Sequence, residues 1–437
     1  MEWYAAGGLL ISVVIFLMIL GMPVAFAFIG VSTVGMMIFF PPIVGLKLLA
    51  ANSTSAVTNF VLVPVPLFLL MGELFFHTGV AARVFDAFDA LLGRLPGRLS
   101  YLTVAGGTVF ATLSGSSMAN TAMLGSLMVP EMVQRGYKKH MAFGPILGTG
   151  GLAMIIPPSA LAVLLGSLAR IDIGKLLIAG VFPGLVLALM YTLLIFGQVK
   201  FDPDAAPGYS VERMSLGYKV KMVVVNLLPM GLVVFMVIGL ILLGIATPSE
   251  AAAFGALGVL ILAAAFRCLT WQSVVKAVTG SLRTTAMVFL IITGSSTFSQ
   301  ILASSGATSG MLEWATEIQV APMILLAVMF LIVLFLGMLM EQVSIMMLTI
   351  PIFFPLAQSF SFDLIWFGVI MLLALEISLA TPPFGLGLFV LMGVAPKGTT
   401  LPEVSMAAAP YVGCAILLVV LLTVFPAIAT YLPGLMQ

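Results

Sequence analysis

Apolar runs with few or no charged side chains recur along the whole chain, and they constrain its fold more than any other feature. Only 8% of the residues are charged and 62% are hydrophobic, whereas soluble domains carry about 25% charged residues. A membrane-crossing helix needs about 20 mostly apolar residues. The sequence therefore predicts an all-α polytopic membrane protein in a lipid bilayer, with about ten crossings at 4–20, 22–40, 58–80, 141–169, 174–199, 222–243, 249–266, 284–306, 364–394 and 404–432.

Two further apolar runs, 99–131 and 322–357, have an unusual length. Each is too long for one crossing and too short for two, which would need about 40 residues. We expect each run to form a re-entrant helical hairpin that enters the membrane and turns back.

The chain contains an internal repeat. At one fixed offset, four prolines of one half fall on four prolines of the other, namely Pro23 on Pro248, Pro130 on Pro355, Pro157 on Pro382 and Pro158 on Pro383. Matches in a single register are typical of a duplicated unit. We divide the chain into a first repeat, 1–212, and a second repeat, 213–437.

Basic residues indicate that the two repeats are inverted. Arg83, Arg94 and Arg98 lie in a loop whose counterpart at 308–323 contains no Lys or Arg. Since basic loops stay on the cytoplasmic side, equivalent loops lie on opposite faces of the inner membrane, and both chain termini are predicted to be periplasmic. Inverted repeats are typical of secondary transporters, which bind substrate near the midplane.

Each predicted repeat pairs a polar hairpin tip with an interrupted helix. The tips are SGSSMAN at 114–120 and GMLMEQVS at 337–344, and a Pro-Pro pair interrupts each of the helices at 141–169 and 364–394. Proline removes a backbone donor and prevents a continuous helix. Irregular backbone at membrane depth survives only where protein buries it or where it lines a cavity. The sequence thus predicts two hairpins and two broken helices around a central site.

Neutral oxygen atoms at these positions favour Na⁺ as the bound ion. Hydroxyl, amide and backbone carbonyl oxygens replace the water shell of a hard cation, and the first tip carries no carboxylate. The first predicted Na⁺ site consists of Ser114, Ser116, Ser117, Asn120, Gly148, Thr149 and Gly150. The second consists of Gln342, Ser344, Thr381 and Gly385.

A substrate cavity is expected beside the ions. Helix N-termini left by the two interruptions would direct partial positive charge at an anion. The predicted lining comprises Ser117, Asn120, Pro157, Pro158, Glu341, Glu376, Pro382 and Pro383.

Other classes of protein fit the sequence less well. Small polar residues also let membrane helices pack closely, but this does not explain a polar tip and a broken helix in each half. An enzyme with a serine nucleophile needs a base within reach, and the two histidines, His77 and His140, lie outside the apolar middles. A net charge of +1 without a basic stripe argues against nucleic-acid binding. A channel remains an alternative, although inverted hairpins favour alternating access.

Four segments together resemble the large membrane subunit of tripartite ATP-independent periplasmic (TRAP) transporters, the dicarboxylate-type permeases. They are LSGSSMANTAMLGSLMVPEM (113–132), GTGGLAMIIPPS (148–159), ATPSEAAAFGALGVL (246–260) and ATPPFGLGLFVLMGVAP (380–396). The resemblance implies a Na⁺-driven importer with an elevator mechanism. It also implies an organic-acid substrate, such as sialic acid or a C4-dicarboxylate, delivered by a periplasmic binding protein.

The resemblance further implies a small four-helix membrane subunit. Because the chain begins directly with the large-subunit pattern, we expect that partner to be a separate chain. A stand-alone divalent-anion/Na⁺ symporter with the same architecture, which needs no binding protein, is the alternative function.

Overall fold

The computed structural model describes residues 2–93, 95–208, 215–317, 320–383 and 385–436, and the regular structure in these ranges is helical. The helices up to residue 201 are α1 (Trp3–Ile19), α2 (Val24–Phe39), α3 (Pro42–Thr58), α4 (Pro64–His77), α5 (Val80–Leu92), α6 (Arg98–Ser114), α7 (Ser117–Gln134), α8 (Lys139–Gly151), α9 (Ala160–Ala169) and α10 (Ile173–Phe201). Short 3₁₀ turns lie at Phe60–Leu62, Leu152–Met154 and Pro203–Ala205.

The remaining helices follow in the same manner. They are α11 (Leu216–Met222), α12 (Leu228–Leu242), α13 (Pro248–Ala265), α14 (Trp271–Ser304), α15 (Ala307–Glu317), α16 (Pro322–Gly337), α17 (Gln342–Ser359), α18 (Leu364–Leu379), α19 (Leu386–Val394), α20 (Leu401–Val424) and α21 (Ala427–Gly434). A π-helical turn, Val223–Leu227, joins α11 to α12.

Seven helical segments among the described residues are long and apolar enough to cross a membrane. They are Phe60–His77, Ile173–Phe201, Leu216–Leu242, Pro248–Ala265, Trp271–Ser304, Gln342–Ser359 and Leu401–Val424. Large apolar side chains such as Phe16, Phe235 and Leu331 are 59%, 69% and 62% exposed. Exposing so many apolar groups to water would be unfavourable, whereas contact with lipid tails is not. The prediction of an all-α polytopic membrane protein is confirmed.

The predicted hairpin segments each contain two packed helices. Residues 98–134 fold into α6 and α7, with Gly115 and Ser116 between them, and residues 322–359 fold into α16 and α17. The predicted interruptions are also present, because α8 ends at Gly151 before α9 begins at Ala160, and α18 ends at Leu379 before α19 begins at Leu386. The peptide bonds Pro157–Pro158 and Pro382–Pro383 are both cis.

Some predicted helix limits were wrong. Helix α14 begins at Trp271 rather than at residue 284, because Lys276 and Arg283 lie within it. The span predicted at 404–432 divides into α20 and α21 at Pro426. Helices α3, α5 and α15 were not predicted, since a search for long charge-free runs passes over helices that carry charged residues, such as Lys47 on α3 and Glu313 on α15. On α5, Val84 and Phe85 are buried while Asp86 is exposed.

Helix limits in the two halves agree at the offset that aligns the prolines. The shift that places Pro130 on Pro355 also places both ends of α7 on both ends of α17. It likewise places the first residue of α8, Lys139, on the first residue of α18, Leu364. The predicted repeat boundary at 212–213 lies outside the described residues. The opposite orientation of the halves stays a prediction.

Packing surrounds the first hairpin and α17 of the second, whereas α16 leaves one side exposed. Helices α2, α4, α13 and α14 pack on one another, and α4 and α14 also contact α6 and α17 respectively. Gly72 of α4 permits a very close approach, because a Cβ atom there would lie 2.2 Å from the carbonyl oxygen of Ser114. On the far side, α8 packs between α6, α7 and α20.

Two exposed ion pairs lie at the start of α8. The Lys138 ammonium donates to Asp202 over 2.5 Å, and Lys139 donates to Glu403 of α20 over 2.7 Å. The hydrogen bond from Lys138 holds the pKa of Asp202 below its ordinary value. Helix α8 is thereby tied to both halves of the chain before it enters the interior.

Candidate functional site

The first hairpin tip is a tight turn held by its own serines. Gly115 adopts a left-handed conformation with φ of 58°, which is least costly for glycine. The Ser116 hydroxyl accepts a hydrogen bond of 3.3 Å from the Ala119 amide and so caps α7. Ser114 hydrogen-bonds to the backbone of Ser116 at 3.5 Å. Of the predicted ion ligands, Ser114 and Ser116 therefore stabilise the turn.

The next turn of α7 contacts the end of α8. The Asn120 amide donates to the carbonyl oxygen of Thr149 over 2.9 Å. Close to this bond, a Cβ atom on Gly150 would lie 2.1 Å from Thr121 Oγ1, so only glycine allows the two helices to approach this far. The structure thus brings together Ser117, Asn120, Thr149 and Gly150, four of the predicted ligands.

Four buried side-chain oxygens at this contact have no hydrogen-bond partner among the described residues. They are Ser117 Oγ, Asn120 Oδ1, Thr121 Oγ1 and Thr149 Oγ1. Their residues are between 0% and 4% exposed. A buried polar atom without a partner costs free energy, so four of them at one helix contact make it the candidate place for a bound ion. The sequence analysis missed Thr121, although its position four residues after Ser117 puts it on the same face of α7.

The second hairpin tip is capped by an acid. Glu341 accepts hydrogen bonds from the amides of Val343 at 3.4 Å and Ser344 at 3.3 Å, and from the Ser344 hydroxyl at 2.9 Å. Glu341 is the counterpart of Ser116 at the repeat offset, so the two tips place a helix cap at the same point with different chemistry. The Ser344 hydroxyl therefore donates its proton to Glu341 of the same tip.

The second interruption is less enclosed than the first. Pro157 and Pro158 are buried, whereas Pro382 and Pro383 are exposed. Thr381 donates its hydroxyl to the Ile377 carbonyl oxygen at 2.6 Å, and the Gly385 amide donates to Thr381 O at 3.1 Å. In the part of the chain that the structure describes, no hydrogen bond joins Gln342 or Ser344 to Thr381 or Gly385.

The two tips meet at a common cavity of about 80 Å³, which we call the tip cavity. Ser116 and Ser117 line it from the first tip, and Glu341 and Gln342 line it from the second. Its other walls come from α4, α9 and α14, and its described lining contains no Lys, Arg or His; these walls are Val65, Leu69, Ala160, Leu161, Leu164, Thr284, Met287 and Val288. The cavity combines a largely apolar wall with the polar ends of α7 and α17.

Glu341 also faces a second cavity. This space of about 440 Å³ lies between the α1–α2 corner, the second tip and α19, and includes Pro23 and Phe389 in its lining. Among the described residues, Glu341 is the one that the linings of both cavities share. The second tip therefore stands between two spaces.

Some predicted lining residues lie apart from the tip cavity. Asn120 contacts α8 instead, and Pro157, Pro158, Pro382 and Pro383 are absent from the cavity's described lining. Glu376 lines a separate small space between α8, α10, α18 and α20. Gly148 faces that space as well, because a Cβ atom on it would lie 2.6 Å from Tyr411. Side-chain direction around an interrupted helix decides these placements, and spacing alone does not give it.

Known proteins resemble the chain over most of its length. Residues 11–428 match the family described as "Tripartite ATP-independent periplasmic transporter, DctM component". The "C4-dicarboxylate TRAP transporter large permease protein DctM" of Pseudomonas aeruginosa is 33% identical over 382 residues, covering 86% of this chain and 87% of the relative. The "Sialic acid TRAP transporter large permease protein SiaM" of Vibrio cholerae is 29% identical over 423 residues, covering 96% of each chain.

A solved structure has a similar fold. The YdaH transporter of Alcanivorax borkumensis, whose description reports an unusual topology, aligns with a TM-score of 0.61. The alignment covers 89% of this chain and 90% of that one at 14% identity. At this level of identity the likeness concerns the fold alone.

Proposed function

The chain belongs to the DctM component family of tripartite ATP-independent periplasmic transporters, the large permease proteins of the inner membrane, and on this premise we propose that it imports an organic acid together with Na⁺. Resemblance among the sequences identifies the family. The ion and the substrate are argued from the first tip and the tip cavity.

The observation that carries the proposal is a set of four buried oxygens at the contact of α7 and α8 that have no hydrogen-bond partner within the described ranges. All four belong to neutral groups, Ser117, Asn120, Thr121 and Thr149. Hard cations prefer oxygen ligands, and divalent ions usually recruit carboxylates as well. A neutral, buried set of hydroxyl and amide oxygens therefore fits a monovalent hard cation, and Na⁺ is our choice. These four residues would hold the ion.

The first tip fits Na⁺ better than the second. At the second tip, Ser344 donates its hydroxyl to Glu341 and Thr381 donates its own to Ile377. The oxygens of Gln342, Ser344, Thr381 and the Gly385 backbone could still accept an ion, but none of these side chains is among the described residues with a buried oxygen that lacks a partner. We propose the second set as a weaker Na⁺ site.

The substrate is proposed to bind in the tip cavity through its carboxylate. The described lining of this cavity contains no basic side chain, so the negative charge must be balanced by helix N-termini and the nearby Na⁺. The N-termini of α7 and α9 border the cavity through Ser117 and Ala160. The N-terminus of α17 already receives the Glu341 carboxylate, which leaves the first tip as the place for an anion. The names of the relatives suggest C4-dicarboxylates or sialic acid as the class.

We propose an elevator mechanism for the movement. The hairpins and interrupted helices would move as one body against α2, α4, α13 and α14. The wall that α4 and α14 contribute to the tip cavity includes Val65, Leu69, Met287 and Val288. Apolar side chains form no directional hydrogen bonds, so such a wall favours sliding of one body against the other rather than a fixed contact.

A complete transporter is proposed to need two partners. Transporters of this family are named tripartite, that is, built from three components. We therefore expect a small four-helix membrane subunit and a periplasmic binding protein that delivers the acid. Both termini of this chain are proposed to face the periplasm.

Reconstituted uptake tests this function. Liposomes containing the permease and its small subunit, with the binding protein and a labelled organic acid outside, should accumulate the acid only under an inward Na⁺ gradient. Asn120→Ala should abolish this Na⁺-dependent uptake without loss of expression, since it removes both the bond to Thr149 and one ion ligand. Ser126→Ala is the matched control, because Ser126 lies on the exposed side of α7 and hydrogen-bonds to Met123 O within its own helix.

Several results would contradict the proposal. Uptake that ignores Na⁺, or an Asn120→Ala variant with unchanged Na⁺ dependence, would remove the ion from the first tip. Uptake by the permease without either partner would favour a stand-alone symporter.

A further inference from the structure

The Gln342 side chain lines the tip cavity with its hydrogen-bonding capacity unused. Gln342 is the first residue of α17 and is only 5% exposed. Its side-chain amide makes no hydrogen bond to a described residue, and neither of its polar atoms belongs to the fully enclosed atoms that lack a partner. Both atoms therefore keep accessible surface, and the space that this residue lines is the tip cavity. An amide has two N–H donors and one acceptor oxygen. The weaker Na⁺ site would use only the oxygen, so the donors stay available.

Thr284 of α14 differs from other threonines on the same helix. Thr279 and Thr293 each donate their hydroxyl to the carbonyl oxygen four residues earlier. In the described part of the chain, Thr284 makes no such bond, although Gly280 carries the equivalent carbonyl oxygen. Its hydroxyl keeps accessible surface, unlike that of the neighbouring Thr285, which is enclosed. Because Thr284 lines the tip cavity, its hydroxyl is available to a molecule bound there.

These two side chains lie on different elements from those proposed to hold the substrate carboxylate. The carboxylate is assigned to the N-termini of α7 and α9, whereas Thr284 lies on α14 and Gln342 on α17. The remaining wall is largely apolar and includes Leu69 and Val288. A second polar group of the substrate would lose its hydrogen bonds to water against such a wall, which is unfavourable. Thr284 and Gln342 provide replacement partners for that group.

The charge beside Gln342 favours an uncharged group at this place. Glu341, the preceding residue, lines the same cavity and makes no ion pair with a described residue. The described lining also contains no Lys, Arg or His. A second carboxylate of the substrate would therefore lack a counter-charge, and an unpaired charge inside a membrane protein is costly. A hydroxyl group is uncharged and can both donate and accept a hydrogen bond.

We propose that Gln342 and Thr284 recognise a hydroxyl group of the substrate, so that a hydroxylated monocarboxylate is the preferred class. This inference rests on the proposed function, since it assumes that the tip cavity binds an organic acid, and it names a second group by which that acid is recognised. A site built to hydrogen-bond a hydroxyl rejects an analogue that lacks it, because the polar groups of the site are then left without partners. The two residues thus determine specificity.

Binding of matched four-carbon acids tests the proposal. The purified complex of the permease and its small subunit is used at saturating Na⁺ and without the binding protein, whose own selectivity would otherwise enter. The probes are butyrate, 3-hydroxybutyrate, 4-hydroxybutyrate and succinate. The rise of the melting temperature with ligand concentration gives each dissociation constant. We expect at least one of the two hydroxy acids to bind about 10-fold more tightly than butyrate and succinate.

Two variants remove the proposed contacts with little change in size. Thr284→Val and Gln342→Leu should each lower the preference for the hydroxy acid over butyrate several-fold, and the double variant should bring this affinity ratio close to one. A residue that acts only on folding or on Na⁺ binding would weaken both acids alike and leave the ratio unchanged. Thr279→Val on α14 and Gln358→Leu on α17 are the matched controls, since both side chains are exposed and lie outside the lining of the tip cavity.

The outcomes separate this inference from the proposed function. Butyrate or succinate that binds as tightly as both hydroxy acids would overturn the inference and leave the carboxylate site in place. An unchanged affinity ratio in Thr284→Val and Gln342→Leu would do the same. Absence of Na⁺-dependent binding for all four acids would overturn the proposed carboxylate site itself. Should Gln342→Leu fail to fold, the order of affinities in the wild-type protein and the ratio in Thr284→Val decide.

Discussion

At the scale of single residues, some side chains of the first tip stabilise the turn and others are available to bind an ion. Ser114 and Ser116 satisfy the turn itself, whereas Ser117 and Thr121 present hydroxyls without a partner among the described residues. A sequence rich in Ser and Asn predicts a polar tip, but it does not say which oxygens the backbone consumes. That distinction depends on the cap geometry of α7, and it separates the four candidate ligands from their neighbours.

Gly150 tests how closely α7 and α8 must approach. Because an added Cβ would lie 2.1 Å from Thr121 Oγ1, Gly150→Ala must displace that oxygen. We expect the Na⁺ concentration for half-maximal uptake to rise about 10-fold or more, a range typical of disturbed metal-ligand geometry. Gly197→Ala on α10 is the control, since no described atom lies within 4 Å of its added Cβ.

A second substitution guards against simple misfolding of Gly150→Ala. Thr121→Val preserves the shape of the side chain and removes only the hydroxyl. It should weaken Na⁺ dependence in the same direction at an unaltered melting temperature. An unaltered Na⁺ response in both variants would exclude Thr121 and Gly150 from the ion site.

At the scale of elements, capping explains why the two tips look different in sequence and alike in structure. Ser116 and Glu341 both accept backbone N–H groups at the start of α7 and α17. The sequence predicted that Glu341 lines the substrate cavity. Its hydrogen bonds show that it also caps the N-terminus of α17. The same reasoning applies to α13, where Thr247 and Glu250 form a reciprocal capping box.

Exchanging the second cap for the first tests this equivalence. Glu341→Ala should lower the free energy of unfolding by about 1 kcal/mol, the usual cost of a lost N-cap. Glu341→Ser should recover most of that loss, because serine caps α7 at the matching position. Thermal unfolding of the purified variants gives the comparison. A Glu341→Ser protein as unstable as Glu341→Ala would indicate that the carboxylate stabilises the protein in some other way, such as by holding a cation.

At the scale of the whole molecule, the sequence predicted the membrane class, the hairpins and the interrupted helices because each leaves a one-dimensional signal. Long runs without charged residues indicate a membrane protein, and the Pro-Pro pairs indicate the interrupted helices. Helices α3, α5 and α15 were missed because each carries charged residues, which end a charge-free run. The separation of Glu376 from the tip cavity could not be predicted either, since it depends on how α18 packs against α8, α10 and α20.

The central claim is that Na⁺ binds between the first hairpin tip and the interrupted helix that follows it. The most direct measurement is a pair of high-resolution maps of the complete transporter, one prepared in sodium and one in choline chloride. We predict a density peak that depends on sodium, coordinated by Ser117, Asn120, Thr121 and Thr149. Maps in which these four side chains coordinate no ion in either condition, while Na⁺ still drives uptake, would contradict the account.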